Sequence, residues 1–433
     1  MLVDVVVIGA GPAGSVTAAT VAKRGFSVLL IEKDTFPGQT NVCAGGVEQS
    51  VVEEFALGGG EGRERSEGRE RSEGRERGEG RERGEGRGEG GGIVEKEILS
   101  HKYYFPWGVE EYETNAATVR RENFDSFLTR SAEDAGAQLL TSAVACGVTR
   151  SRRGGGCVRV AVKERGREEE EGREEEEGRE EEEGREEEEG REEEEGESLT
   201  KIETKILVFA DGPNTLARVF GVGFEVRPDT VAESAIFEIE WKSNHLNSSE
   251  FFFSSEISPW GYGWIFPKRN SVNIGVWCLY SKMQRNIYEY LKDFKDFLAA
   301  RQLPLQEKRI ARFSSALIPL VPAKRIYEER VLVVGDAAGM VDPFFGGGIG
   351  YAINGGRIAG QSVLDALEEN DFSKNFLSAY QKAWERTEDC RSIKKQYHLS
   401  NLFLPLSKID RNIFGKMVGV GLNKRGLLRK LFV

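Results

Sequence analysis

The strongest constraint on this chain lies in its first 32 residues. VDVVVI (3–8) is a run of apolar β-formers, followed at once by GAGPAG (9–14), a helical pattern over 12–24 and a second buried-type strand, SVLLIE, over 27–32. Strand, glycine turn, helix and strand within about 30 residues make a βαβ unit. Its chemistry follows from the residue types. Gly9, Gly11 and Gly14 permit a tight turn and let the backbone approach a pyrophosphate, while Pro12 and Ala13 open a helix whose free N–H groups and positive dipole end favour an anion. Glu32, with Lys33 beside it, is placed to accept a hydrogen bond from a ribose hydroxyl. A dinucleotide site is therefore expected at Gly9, Gly11, Pro12, Ala13, Gly14, Glu32 and Lys33, where an ordinary α/β turn would need only the glycines.

FAD and NAD both fit that motif, and a second segment some three hundred residues downstream separates them. In VGDAAGMVDPFFGGGIGYAINGG, Gly335 and Asp336 are expected to end a strand with the carboxyl in reach of a ribityl hydroxyl. Gly346, Gly347, Gly348, Ile349 and Gly350 are expected to open a helix whose N-terminus faces an extended cofactor. A helix dipole aimed there stabilises the negative charge of a reduced flavin, and NAD has no ribityl chain to use Asp336. FAD is the expected cofactor; the other reading is a helix-capping aspartate beside packing glycines.

Charge is unevenly spread. The unit REEEE occurs five times between Arg167 and Glu195, and 61–90 holds nine Arg against ten Glu, so the rest of the chain carries +4 although the whole carries −12. A mildly basic folded part suits an anionic ligand or surface. Both tracts are six-residue repeats without apolar members, which cannot bury surface to offset the entropy of ordering; both are expected to be disordered loops rather than nucleic-acid or protein-binding arms. Cys43, Cys146, Cys157, Cys278 and Cys390 form no CxxC pair, and the three histidines (His101, His245, His398) lie far along the chain from the motifs. No metal site, GxSxG nucleophile or nucleic-acid interface is expected. The sequence shows no apolar stretch of about 18–20 residues and no cleavable leader before the first strand, so a cytoplasmic protein, soluble or peripheral to a membrane, is expected.

Tyr262, Trp264 and Phe266 alternate along YGWIFP and share one face of a strand, which gives either a broad apolar wall for a ligand or plain core packing. Cys43 is likewise open to two readings, reactive or packed. The C-terminal stretch interleaves Lys408, Arg411, Lys416, Lys424, Arg425, Arg429 and Lys430 with apolar residues. It reads equally as a helix capping the core and as one resting on an anionic membrane.

Taken together, GAGPAG with Glu32, CAGGV (from Cys43), VRRENFDSFL (from Val119), ADGPNTLAR (from Ala210), YGWIFP and the GDAAG to GGGIG segment resemble the geranylgeranyl reductases, flavoproteins built like para-hydroxybenzoate hydroxylase. The resemblance covers nearly everything outside the two charged tracts. It implies an α/β fold with α+β character: a Rossmann-like FAD-binding domain over 1–56, 119–164, 198–225 and 326–365, and an antiparallel-sheet substrate domain over 93–118 and 226–325. Insertions at 57–92 and 165–197 and a helical region at 366–433 complete it. Arg120 or Arg121, with Asp211 and Gly212, would lie along FAD; Cys43, Ala44 and Gly45 would lie by its ring. Tyr262, Trp264, Phe266, Pro267 and Phe345 would line an isoprenoid cavity, with Cys43, Tyr262 and Trp264 nearest the chemistry. The implied reaction is reduction of isoprenoid C=C bonds with electrons from an external donor, a ferredoxin, deazaflavin or nicotinamide. YGWIFP also looks a little like the halogenase tryptophan box, which leaves a flavin monooxygenase or halogenase, or a non-catalytic electron relay or lipid carrier, as alternatives. One departure stands out: the family's GxG after the aromatic box is here Gly275, Val276, Trp277, and the tryptophan is expected to narrow the cavity.

Overall fold

The fold is taken from a computed structural model that describes residues 2–57, 92–151, 156–164, 199–243, 245–305 and 307–422. The two charged tracts and the basic residues from Lys424 to Lys430 lie outside the described residues.

Among the described residues, two eight-stranded sheets organise the fold. In the first, the spatial order is Tyr327–Glu328, Val331–Val333, Thr200–Phe209, Leu2–Ile8, Val28–Ile31 and Gln138–Leu140, parallel apart from the edge strand Tyr327–Glu328. The inner strands are almost unbroken runs of Val, Leu and Ile because both faces are covered. A hairpin of Ala143–Ser151 and Cys157–Glu164 extends this sheet through Thr200–Phe209. Helix Pro12–Ala22 packs against Ile349–Glu368 and Arg121–Asp134. Small residues make that approach close: a Cβ at Gly356 would strike the Ala13 carbonyl, and one at Gly360 the Thr20 side chain.

The second sheet runs Ile310–Pro319, Val231–Glu240, Ser271–Leu279, Tyr262–Pro267, Ser248–Phe252, Val94–Phe105, Gly108–Val119 and Gly46–Glu48. All neighbours are antiparallel except Ser248–Phe252 beside Val94–Phe105. Alternation divides its side chains between two faces. Ala235, Phe237, Ile274 and Val276 meet helix Ile287–Ala300 through Leu291, Phe294 and Leu298. The opposite face carries Tyr103, Phe251, Tyr262, Trp264 and Trp277, and is covered by Phe344 and by Phe414, Met417 and Val418 of helix Ile413–Leu422. The C-terminal stretch thus caps the core as far as it is described. The strand Gly46–Glu48 follows directly on Cys43–Gly45, so that segment passes from one sheet to the other.

Candidate functional site

Three glycine-bearing turns converge at the C-terminal ends of the parallel strands. Gly9 has φ +97°, and a Cβ there would run into the Ala210 carbonyl; at Gly14 it would run into the Gly9 carbonyl. These two glycines are required by backbone approach. Gly11 instead faces open space, which is what a pyrophosphate lying against the helix N-terminus needs. The Glu32 carboxylate accepts the N–H groups of Ala10 (2.8 Å) and Asp34 (3.0 Å), and burial pushes its pKa up. Lys33 turns outward to Asp34 and Thr40.

The turn after Thr200–Phe209 brings Asp211 to the same edge. Its Oδ2 accepts from the Leu216 N–H at 2.8 Å, whereas the buried Oδ1 has no partner among the described residues. Gly212, at φ +77°, faces open space. Beside them, Gly335 at φ +68° breaks the strand after Val331–Val333, so Asp336 does not end a strand as expected; it rides on the 3-10 turn Gly335–Ala338. A Cβ on Gly335 would sit 3.0 Å from that of Ala13, a measure of how closely the two distant motifs meet. Burial raises the pKa of Asp336 while Arg121 opposes it. The expected helix begins within the glycine run, at Ile349; the Asp342 carboxylate accepts the N–H groups of Phe344 (2.7 Å) and Phe345 (2.9 Å) and holds 342–348 as a loop before it. Gly347 and Gly350 face open space.

These residues fit an FAD. Gly11, Gly212, Gly347 and Gly350 leave backbone uncovered, Glu32 and Asp336 offer carboxylates, and one buried Asp211 oxygen has no partner among the described residues.

The two neighbouring arginines part here. Arg121 grips Asp125 through two hydrogen bonds (2.9 and 2.8 Å), and Asn41 joins the same carboxylate at 2.6 Å. Arg120 turns toward the second sheet, to Ser271 (3.0 Å) and Glu95 (3.4 Å). Cys43 Sγ accepts the Gly45 N–H at 3.3 Å and lies beside the Arg121 guanidinium. Gly45, φ +79°, passes under the Val119 carbonyl, and Ala44 packs against the aromatic face.

That face is a continuous aromatic wall. Tyr262 donates to the Phe345 carbonyl at 2.6 Å, and its ring meets Phe251, Phe253, Trp264 and Trp277 at centroid distances of 5.2–5.9 Å. Trp264 is 5% exposed and donates from its indole to Asn273 at 2.9 Å. Its ring fills the place where Gly275, its cross-strand partner, would carry a Cβ. Phe266 lies over Gly46, and the Pro267 carbonyl accepts from Thr118 at 2.7 Å. Trp277 is fully buried between Tyr262 and Phe414. The aromatic-rich run 235–278 reads in the sequence as a sheet that walls a pocket, and Phe251 and Phe253 lie in it; Tyr103 and Phe414, whose place depends on strand pairing and on the last helix, were not legible. His101, distant from the motifs along the chain, comes within 5.6 Å of the Phe251 ring. Alternation in 101–105 and 249–253 was the available signal.

A family model described as an FAD binding domain matches residues 2–383. The digeranylgeranylglycerophospholipid reductase of Methanocaldococcus jannaschii is 28% identical over 389 residues, 88% of this chain and 82% of that protein. Among solved structures, a geranylgeranyl bacteriochlorophyll reductase-like protein of Thermoplasma acidophilum superposes with a TM-score of 0.72 at 20% identity, covering 97% of this chain and 91% of the other. A flavin-dependent brominase superposes with a TM-score of 0.64 at 17% identity, covering 96% and 94%. The two structures share the fold; they do not separate reductase from halogenase.

Proposed function

The chain belongs to the FAD binding domain family, and we propose that it is a reductase that saturates carbon–carbon double bonds of an isoprenoid lipid. One observation carries this reading: the aromatic wall of Tyr262, Trp264 and Phe251 adjoins both Ala44 and Phe345, and Phe345 belongs to the loop whose Gly348 lies against the Asp336 carboxyl. When bound, reduced FAD would supply a hydride to one alkene carbon, and water or a nearby side chain would supply the proton to the other. The protein's share is positional, because an unactivated alkene reacts only when held in contact and out of water. Gly9, Gly11, Pro12, Ala13, Gly14, Glu32, Lys33, Asp211, Gly212, Gly335 and Asp336 would hold the dinucleotide. Arg121, Cys43, Ala44, Gly45 and Gly346 to Ile349 would lie along its length, with Arg120 one step removed on Ser271. Tyr262, Trp264, Phe266, Pro267 and Phe345 would hold the prenyl chain. The similarity to the Methanocaldococcus jannaschii enzyme supports a geranylgeranyl lipid as the substrate class. Electrons come from an external donor, a ferredoxin, deazaflavin or nicotinamide.

Among the described residues no helix is long and apolar enough to cross a membrane. Leu402, Leu406 and Ile409 are exposed beside Lys408 and Arg411, and this surface would rest on an anionic membrane that holds the substrate. The test is strict anaerobiosis: reduced protein incubated with geranylgeranyl lipid should give products heavier by pairs of hydrogens. Product that forms only with oxygen would identify a monooxygenase or halogenase instead.

A further inference from the structure

Beside the aromatic wall, on the same face of the sheet, lies a set of buried polar groups that the reading above leaves unused. In register across the second sheet, Glu238, Asn273 and Phe266 form one row, directly beside the row of Ile236, Gly275 and Trp264. Glu238 and Lys268 are 7% and 6% exposed and form an ion pair at 3.0 Å. Glu238 also accepts from Asn273 Nδ2 (3.0 Å) and from the Ser271 hydroxyl, which in turn accepts from Arg120 (3.0 Å). Burying such a pair gains little stability by itself, because desolvation offsets the attraction.

Its consequence lies in orientation. An ionised carboxylate only accepts hydrogen bonds, and Lys268 keeps Glu238 ionised. The Asn273 amide must therefore turn its NH2 toward Glu238. Oδ1 is left facing the indole N–H of Trp264, which only donates, at 2.9 Å. If Glu238 could donate, the amide could reverse, and its NH2 would oppose the indole N–H.

We propose that Asn273, oriented by Glu238 and Lys268, is a positioning residue that locks the Trp264 indole over Gly275 and thereby sets the shape of the prenyl-binding wall. The assignment of the wall to a prenyl chain rests on the function proposed above; the lock itself does not.

The decisive measurement is NMR of protein labelled with 15N at the tryptophan indoles, with the Trp264 signal identified by its loss in Trp264→Phe. Asn273→Leu should move that signal in lipid-free protein, and should raise KM for the geranylgeranyl lipid by about tenfold, the size of one lost hydrogen bond, with FAD affinity unchanged. The exchange Glu238→Gln with Asn273→Asp keeps one negative charge beside Lys268 and restores an acceptor to the indole. It should return both readouts toward the starting protein. If Asn273→Leu does not fold, Asn273→Ser, too short to reach the indole, takes its place. An unmoved indole signal, an unaltered KM, or a folded exchange variant that restores neither overturns the proposal. Should the unaltered protein reduce no prenyl lipid at all, the functional reading fails, and the indole signal still decides whether the lock exists.

Discussion

The Trp264 indole occupies the space in which Gly275 would carry a side chain, so even a methyl group there forces the ring or the strand to move. Gly275→Ala should lower unfolding stability by about 1–3 kcal/mol, the usual penalty for overpacking, and should reduce lipid turnover while the flavin absorbance persists. Equal denaturation midpoints would show that the wall yields more easily than its geometry implies. Trp264→Ala should cut turnover sharply with FAD still bound, and unchanged lipid reduction would remove this residue from the site. The glycines at 9, 11 and 14 were legible in the sequence because their demand is local, a turn followed by a helix. Gly275 was visible only as half of a motif, since its reason is a cross-strand neighbour that no local pattern names. Asp336 offers a test by pH. Its folded pKa lies above the ordinary 3.8 because burial disfavours the charge. A group raised in this way contributes stability at acid pH and loses it as pH climbs through the folded pKa. In FAD-free protein, Asp336→Asn should therefore gain on the unaltered protein between pH 4 and pH 7.5, while weakening FAD by about tenfold through the lost carboxylate acceptor. Urea titrations at the two pH values check this; an offset that stays constant would show that burial does not raise the Asp336 pKa in the folded protein.

Among the elements, the first βαβ unit matched its expectation to within a residue or two, from Leu2–Ile8 through Pro12–Ala22 to Val28–Ile31. Its apolar runs and its glycine turn each specify one structure. The last helix could not be resolved the same way. Ile413–Leu422 has an apolar face, but a sequence does not state whether protein or lipid covers it. Phe414, at 2% exposed, meets Trp260, Trp277 and Phe253, so this element is part of the aromatic wall. Phe414→Ala should cost about 3–5 kcal/mol, as for other buried aromatic truncations. A chain ended after Leu404 should keep FAD, lose lipid turnover and bind a hydrophobic dye through the bared face. Flotation with anionic vesicles separates the two roles of the C-terminus: the full chain should float and the shortened one should not. Equal flotation would move the membrane contact elsewhere, leaving the helix as a lid alone.

At the scale of the whole molecule, the two charged tracts interrupt a fold that is complete around them, and the pairing of strands shows where the second one attaches. Cys157–Glu164 and Thr200–Phe209 are antiparallel neighbours with Val162 opposite Thr200, so the chain leaves and re-enters at adjacent strand ends. A turn of two to five residues normally spans such a gap. Closing a long loop costs entropy that grows by about 0.6 kcal/mol for each doubling of its length. Replacing 165–198 with a four-residue glycine turn removes three doublings and should therefore stabilise the protein by up to about 2 kcal/mol. The same change deletes all five REEEE units and makes the net charge positive, which should strengthen retention on anionic vesicles at low salt and leave it weaker as salt is added. FAD affinity should not change, since the glycine turns that meet at Ala13, Ala210 and Gly335 lie in other segments. A lower guanidinium midpoint or a loss of bound flavin in the shortened protein would mean that the acidic tract supports the fold through contacts of its own, and that the two sheets are not self-sufficient.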